Sequence, residues 1–539
     1  MRRLTLCLAG LAACASGGVQ STATPTPTSG TSTASPAASG VPAVIATISD
    51  AALRSELTAF AADSFRGREA GTPDAERAAR FLADRLRAIG AEPAGDSGYF
   101  HRVPLVREYL SSGTSFTVSE GGRTSSLAAG GDVVPILSPG EGFYTKHRAD
   151  GDLVFVGYGM ATGGRNDLAG LDLRDKIVVV VNGAPAGTDS ATRRQLESQD
   201  GIGVRLQGIL PQRPAGVIVL MTGQGETFYR QLAPEVLRTV SAASPAPPTD
   251  DAQRQLPMLL LGVARPGSPL LPAGWPADDR ARALTGRRFT GRIQVTRDPF
   301  TAYNVVAVVP GSDPALGRTY VALGAHYDHI GVQPPAGGDS IANGADDDAS
   351  GSVALLEIAR SLAGASPRPL RSTLFVWHAA EEKGLLGSAH FTDRPTVPLD
   401  SIVAQINADM IGRNGSTTED GPPGDQRSLF IIGPSAAPNN QSRALGQIVD
   451  SVNARQPVPF VFNREWDSPT HPERIYFRSD HYNYAKKGIP IVFLTDGLHA
   501  DYHKVSDEAA KIDYTKLGRA ARLIHDVTVA VGNRRTRPR

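Results

Sequence analysis

The sequence predicts an α/β protein, a mixed sheet flanked by helices, interrupted by a β-rich module. Three observations predict it. From about residue 300 onward, strand-like and helical runs alternate, which is the pattern of βαβ units with helices on both faces of a sheet. Between about 138 and 295 the texture shifts to short apolar runs joined by Gly/Pro-rich connections. The chain is 539 residues long, and single cores stop growing near ~250–300 residues, so two to four domains are expected.

The chain opens with Met1-Arg2-Arg3, a short apolar run from Leu4 to Leu11, and then small residues. This reads as an export signal and is far too short to span a bilayer. Leu11-Ala12-Ala13-Cys14 matches a lipobox, which makes residues 1–13 a signal peptide and Cys14 the acylated first residue of a membrane-anchored lipoprotein. Ala13-Cys14-Ala15 also matches ordinary A-x-A cleavage, giving a periplasmic or secreted protein. Residues 14–44, rich in Ser, Thr, Ala, Pro and Gly, read as a flexible tether.

The body begins at 45. Ala78, Phe81, Leu82, Leu86 and Ile89 form one stripe across 74–89, with Gly90 as the stop, so this segment is helical. Strands follow at 100–106 and 115–118, completing a first portion at 45–137. In the module at 138–297, strands are expected at 153–156, 177–181 and 216–220. The last portion, 298–532, has strand patterns at 304–309, 320–323, 372–377, 402–406 and 489–494, with helices at 352–362 and 442–452.

Composition excludes several function classes. Lys+Arg 55 against Asp+Glu 54 leaves a net charge of +1, with no basic excess for nucleic acid. The cysteines are Cys7 and Cys14, so the folded body has neither a disulfide scaffold nor a thiolate metal site. Gly337-Gly338 lacks the strand–GxGxxG–helix context of a nucleotide site.

The chemistry concentrates late in the chain. Nine of eleven histidines follow residue 325, several beside carboxylates at strand ends. His326, Asp347, Glu382 and Asp409 are spaced by 21, 35 and 27 residues, and His503 lies 94 further on. Intervals near ~30 residues are what βαβ units produce, each strand delivering a residue to one edge of the sheet. Histidines and carboxylates without thiols suit catalytic zinc. Two imidazoles and three carboxylates exceed one open site but fit two zinc ions sharing a carboxylate. With a bridging hydroxide the formal charge is zero, which makes burial tolerable. Glu381, beside Glu382, is then placed as general base.

The strings AHYDHIG (325–331), NGADDDASG (343–351), AAEEKGLLGS (379–388), NADMIG (407–412), YFRSDH (476–481) and DYHKVSD (501–507) resemble those of the bacterial dinuclear-zinc aminopeptidases, relatives of glutamate carboxypeptidase with a zinc-exopeptidase (phosphorylase/hydrolase-like) fold. The central module resembles a protease-associated domain. The resemblance implies two zinc ions per chain, one held by His326 and Asp409, the other by Glu382 and His503, with Asp347 bridging. It places Asp347, three residues before Ser350, ahead of Asp346 and Asp348 as the bridge. It makes Glu381 the general base, gives Asp328 the role of a carboxylate orienting His326, and gives Tyr476 that of stabilising the oxyanion. His329, His378, His481 and His499 are expected to support or pack.

With the N-terminal signal and lipobox, the resemblance implies an exported zinc exopeptidase acting on peptides from the N-terminus, meeting the membrane only through a lipid anchor. A carboxypeptidase or dipeptidase on the same scaffold is the alternative, with Arg478 or Lys487 as anchors for a substrate carboxylate. A receptor-like binding module is a further alternative. It predicts missing ligands, whereas all five ligand positions and Glu381 are present.

Overall fold

The computed structural model describes residues 46–137, 144–160, 165–197, 199–223, 225–226, 229, 238–242, 255–414, 426–436, 440–471 and 473–538. The signal, the tether and Cys14 lie outside them. Two compact units emerge: one from Val106–Asp298, the other from the preceding segment through Leu105 together with Pro299–Arg539.

The larger unit begins with two helices whose limits are set locally. In α1 (Asp50–Phe60), the Ser49 side chain caps by accepting from the Ala52 N–H, and Leu53, Leu57 and Phe60 form its buried face. In α2 (Pro73–Ile89), Thr72 caps the start, Pro73 occupies the first turn, and Gly90 at φ 83° closes the end. Phe81 and Ile89 are half-buried rather than core.

The sheet of this unit includes β1 (Phe100–Leu110), β2 (Val295–Val309), β3 (Tyr320–His326), β4 (Ser372–His378), β5 (Ile402–Ala408), β6 (Ser428–Ile432), β7 (Val461–Asn463) and β8 (Ile491–Thr495), in the order β1-β2-β4-β3-β5-β8-β6-β7, with the short strand Glu92–Pro93 pairing antiparallel with β2 off that path. The four central strands β4, β3, β5 and β8 are parallel, whereas β2 and β6 pair antiparallel on either side. All of β4 and β5 is buried, as expected where both faces are covered. The helices of this portion are α3 (Gly351–Ala363), α4 (Leu386–Asp393), α5 (Arg443–Asn453), α6 (His481–Lys486) and α7 (Tyr514–Gly532). Trp377 donates its indole N–H to the Ser352 carbonyl on α3, while its neighbour Val376 packs with Phe391 of α4 and Tyr484 of α6. Successive strand residues face opposite ways, so helices cover both faces. The last strand starts at Ile491, not 489, immediately after Pro490, which has no N–H to give a ladder.

The inserted unit has an eight-stranded sheet in the order 123–127, 115–120, 282–292, 148–155, 177–182, 216–221, 258–263, 133–135. Its strands at 148–155, 177–182, 216–221 and 258–263 are parallel, and helices at 190–197 and 199–209 lie between two of them. It is thus mixed α/β rather than simply β-rich. Its first boundary lies at 105/106 instead of 137/138. The reason is long-range pairing: Ser115–Glu120 zips onto Arg282–Arg292, and Val133–Pro135 pairs with Met258–Val263. Among the described residues, no helix is long and apolar enough to cross a membrane.

Candidate active site

Parallel pairing of β4, β3, β5 and β8 brings their C-terminal ends to one edge, where ligand sites of α/β sheets form. His326 is the last residue of β3, Glu381 and Glu382 follow β4, Asp409 follows β5, and His503 lies beyond β8. Asp346, Asp347 and Asp348 occupy the irregular turn opening α3. Gly344 precedes them at φ 55°, where a Cβ would stand 2.3 Å from the Asp347 carbonyl oxygen and 2.5 Å from the His329 ring. Only glycine fits there. Ala380, Met410 and His503 also have positive φ, and such values in non-glycine residues gather at functional sites.

The aspartate triplet divides its work. Asp347 directs Oδ1 to His326 Nε2 and Oδ2 to His503 Nε2, both at 3.1 Å. One carboxylate thus spans two imidazoles. Asp348 spends its oxygens on backbone N–H groups of Gly351, Met410 and His326, at 2.9, 3.2 and 3.1 Å. Asp346 accepts from the Gly412 N–H at 2.7 Å and faces His499 at 3.2 Å. Asp507 fixes the turn by accepting from the N–H groups of Asp346 and Asp347 at 3.0 and 3.1 Å.

Around Asp347, His326 Nε2 lies 3.6 Å from Asp409 and 4.0 Å from Glu381, and His503 Nε2 lies 3.1 Å from Glu382. Ser479 donates to Asp409 Oδ2 at 2.6 Å, leaving Oδ1 toward His326. His326 Nδ1 donates to the backbone carbonyl of Asp328 at 2.9 Å, which fixes the tautomer and leaves the Nε2 lone pair toward the carboxylates. The Asp328 carboxylate, expected to orient His326, is 4.0 Å from that nitrogen. It accepts instead from the Glu381 N–H at 3.0 Å. The chain turns so that the nearer oxygen of Asp328 is its carbonyl, and the side chain is left to hold Glu381.

The site attracts positive charge. Burial pushes His326 down, but Asp409 and Glu381 raise it, and the net direction is well above its ordinary value. Burial and Glu382 push Asp347 up, yet His326 and His503 hold it well below the usual carboxylate range. Burial raises Asp328 to about 6.

Tyr476 is buried among Phe477, His481 and Tyr482, and its hydroxyl meets no hydrogen-bond partner. A different phenol stands beside the cluster. Tyr502 stacks on His503 with centroids 3.9 Å apart and accepts from Arg478 at 3.2 Å. Its signal was its place in DYHKVSD, directly before a candidate ligand. His378 and His481 are packing residues, each pushed down to about 3 by burial. Lys487 pairs with Asp393, with both side chains well exposed. Arg68, in the turn before α2, is fully buried and donates to the carbonyls of Tyr327, Phe60, Asn343 and Gly344 at 2.7–3.3 Å. It ties down both loops that carry the site. No local pattern at 63–68 announces it.

Residues 304–528 match peptidase family M28. Every site residue from His326 to His503 falls inside that M28 segment. A probable leucine aminopeptidase of Trichophyton verrucosum (strain HKI 0517) is 26% identical over 254 residues, 46% of this chain and 62% of that protein. Leupeptin-inactivating enzyme 1 of Streptomyces exfoliatus is 29% identical over 230 residues, 42% and 43% of the two chains. This chain therefore spans less than two thirds of the length of these curated relatives. The solved structure of an aminopeptidase from Aneurinibacillus sp. strain AM-1 superposes with a TM-score of 0.53 at 17% identity, covering 89% of this chain and 93% of that one. This chain thus shares its fold with that protein.

Proposed function

We propose that the protein is a dinuclear zinc exopeptidase that removes N-terminal residues from peptides. The observation that carries this is Asp347, which offers one oxygen to His326 and the other to His503 at equal distance. The donor set fits zinc: nitrogen and oxygen ligands, no thiol, and buried carboxylate oxygens of Asp347 and Glu382 without hydrogen-bond partners. His326 and Asp409 would hold one ion, Glu382 and His503 the other, with Asp347 shared. When bound, zinc would supply Lewis acidity that polarises a peptide carbonyl and acidifies water.

The chain's own residues do the rest. Glu381, held by its N–H on Asp328, takes a proton from the attacking water and returns it to the leaving amine as the C–O bond forms and the C–N bond breaks. Burial pushes the Tyr502 phenol up, so it stays protonated and can donate to a developing oxyanion. Tyr502 suits that task better than Tyr476 because of its contact with His503. Buried carboxylates complement the free amine of a substrate. Arg478, the cation a carboxypeptidase would need, is engaged by Tyr502 and Glu473. The similarity to a probable leucine aminopeptidase supports the same reading.

The N-terminal signal and lipobox support an exported, membrane-anchored protein, and the inserted unit is read as a protease-associated domain. The test of specificity compares free, N-terminally blocked and C-terminally amidated peptides. Cleavage lost on N-blocking alone is the expected result; cleavage lost on C-amidation alone would replace aminopeptidase by carboxypeptidase.

A further inference from the structure

His329 lies three residues beyond His326 and is wholly buried. Its Nδ1 stands 2.9 Å from Glu382 Oε1 and 3.7 Å from Asp347 Oδ2. Despite that proximity, neither ring nitrogen makes a hydrogen bond, and neither do Asp347 Oδ2 and Glu382 Oε1. A buried polar atom without a partner is costly, and here three such atoms converge within 4.8 Å of one another. Donors that approach one point without bonding each other are arranged to share a cation. His503 reaches the same point from another direction, its ring 5.7 Å from that of His329 and edge-on to it. Its Nε2 is 3.1 Å from both Asp347 Oδ2 and Glu382 Oε2.

We infer that His329 is a fourth protein ligand at the Glu382/His503 metal position, an inference that rests on the metal-pair reading. Asp347, Glu382, His503 and His329 then supply four donors, the full complement of a closed tetrahedral zinc site. The other position has three: His326, Asp409 and Asp347. Asp348 does not make a fourth there, because its oxygens already take three backbone N–H groups. The two positions are unequal. One is closed by the protein, whereas the other keeps a vacancy for substrate and water. The Glu382/His503 zinc is therefore retained longer, and the His326/Asp409 zinc leaves first. The Gly344 backbone against the His329 ring keeps the imidazole aimed at this point.

The test uses the full chain loaded with zinc, as wild type and as His329→Ala. X-ray absorption at the zinc edge counts imidazoles, and equilibrium dialysis against a graded chelator measures retention. In the wild type, three imidazoles shared between two ions and two separate steps of zinc loss are expected. In His329→Ala, the imidazole count falls to two, and the tighter ion weakens by about 10–100-fold, with circular dichroism unchanged. Two imidazoles in the wild type, or unchanged retention in the variant, overturns the assignment. If the variant does not fold, the wild-type imidazole count decides alone. A wild type holding a single zinc defeats the metal-pair reading instead. In that case loss of one imidazole in His329→Ala supports His329 as a ligand, and an unchanged imidazole count overturns it.

Discussion

Each of the two units buries an arginine whose guanidinium donates to backbone carbonyls. Arg205, in the inserted unit, bonds the carbonyls of Tyr158, Leu196, Gly201 and Gly183 and the Asn182 side chain at 2.6–2.9 Å. Arg68, in the larger unit, does the same for the loops at Tyr327 and at Asn343–Gly344. Burial lowers both to about 10. Their surroundings differ. Arg68 feels Asp507, Asp328, Asp347 and Asp348, whereas Arg205 feels Asp167 and Glu197. Among the described residues, the buried polar atoms without hydrogen-bond partners include carboxylates and imidazoles in the larger unit, but none in the inserted one. The same device closes one unit as scaffold and, in the other, frames side chains that need something more. Unpaired carboxylates and imidazoles at strand ends, not buried charge in general, mark the reactive edge.

The largest expected effect breaks that edge outright. Chelation of the metals abolishes peptide hydrolysis, and added zinc restores it; activity that survives exhaustive dialysis against chelator contradicts the metal reading. Next, Glu381→Gln lowers kcat by about 10²–10⁴-fold while zinc content stays at the wild-type level, as read by turnover and elemental analysis on one sample.

The arginines give a paired test. Arg68→Met and Arg205→Met each leave several buried carbonyls without donors, and each costs about 3–5 kcal/mol in denaturant unfolding. Only Arg68→Met also weakens zinc retention in the molecules that remain folded. Equal zinc retention in the two variants would erase the distinction between the units. The smallest effect concerns pH. His481, stacked on Phe493 with centroids 4.7 Å apart, is lowered by burial from its ordinary 6.5 to about 3. The unfolded chain therefore binds the proton first. The contribution of neutral His481 is complete above about 6.5 and declines as pH falls toward about 3. His481→Phe flattens that acid slope by up to about 1.4 kcal/mol per pH unit, measured as unfolding free energy between pH 4 and pH 7.

What was legible in the sequence was whatever depends on period and spacing. The βαβ rhythm placed His326, Glu382 and Asp409 at parallel strand ends. The resemblance, rather than spacing, puts Asp347 ahead of its neighbours in the triplet; Ser350 anchors that turn, donating to the Asp346 carbonyl and accepting from the Ile411 N–H. What escaped depends on how loops turn and on distant pairing. His329 looked like a neighbour of His326 until the loop aimed it at Glu382. Asp328 was read through its carboxylate, although its carbonyl lies nearer the imidazole. Arg68 acts across 259–276 residues of chain, on Tyr327, Asn343 and Gly344. The first domain boundary is not legible in the sequence because the ladder joining Ser115–Glu120 to Arg282–Arg292 leaves no trace in either segment alone.

The central claim, that Asp347 joins two metals into one site, is tested most directly by zinc content per chain in wild type and Asp347→Asn. Elemental analysis should find two zinc ions in the wild type and fewer than one in the variant, with Arg205→Met retaining two. A wild type with fewer than two, or an Asp347→Asn protein that still holds both, would contradict it.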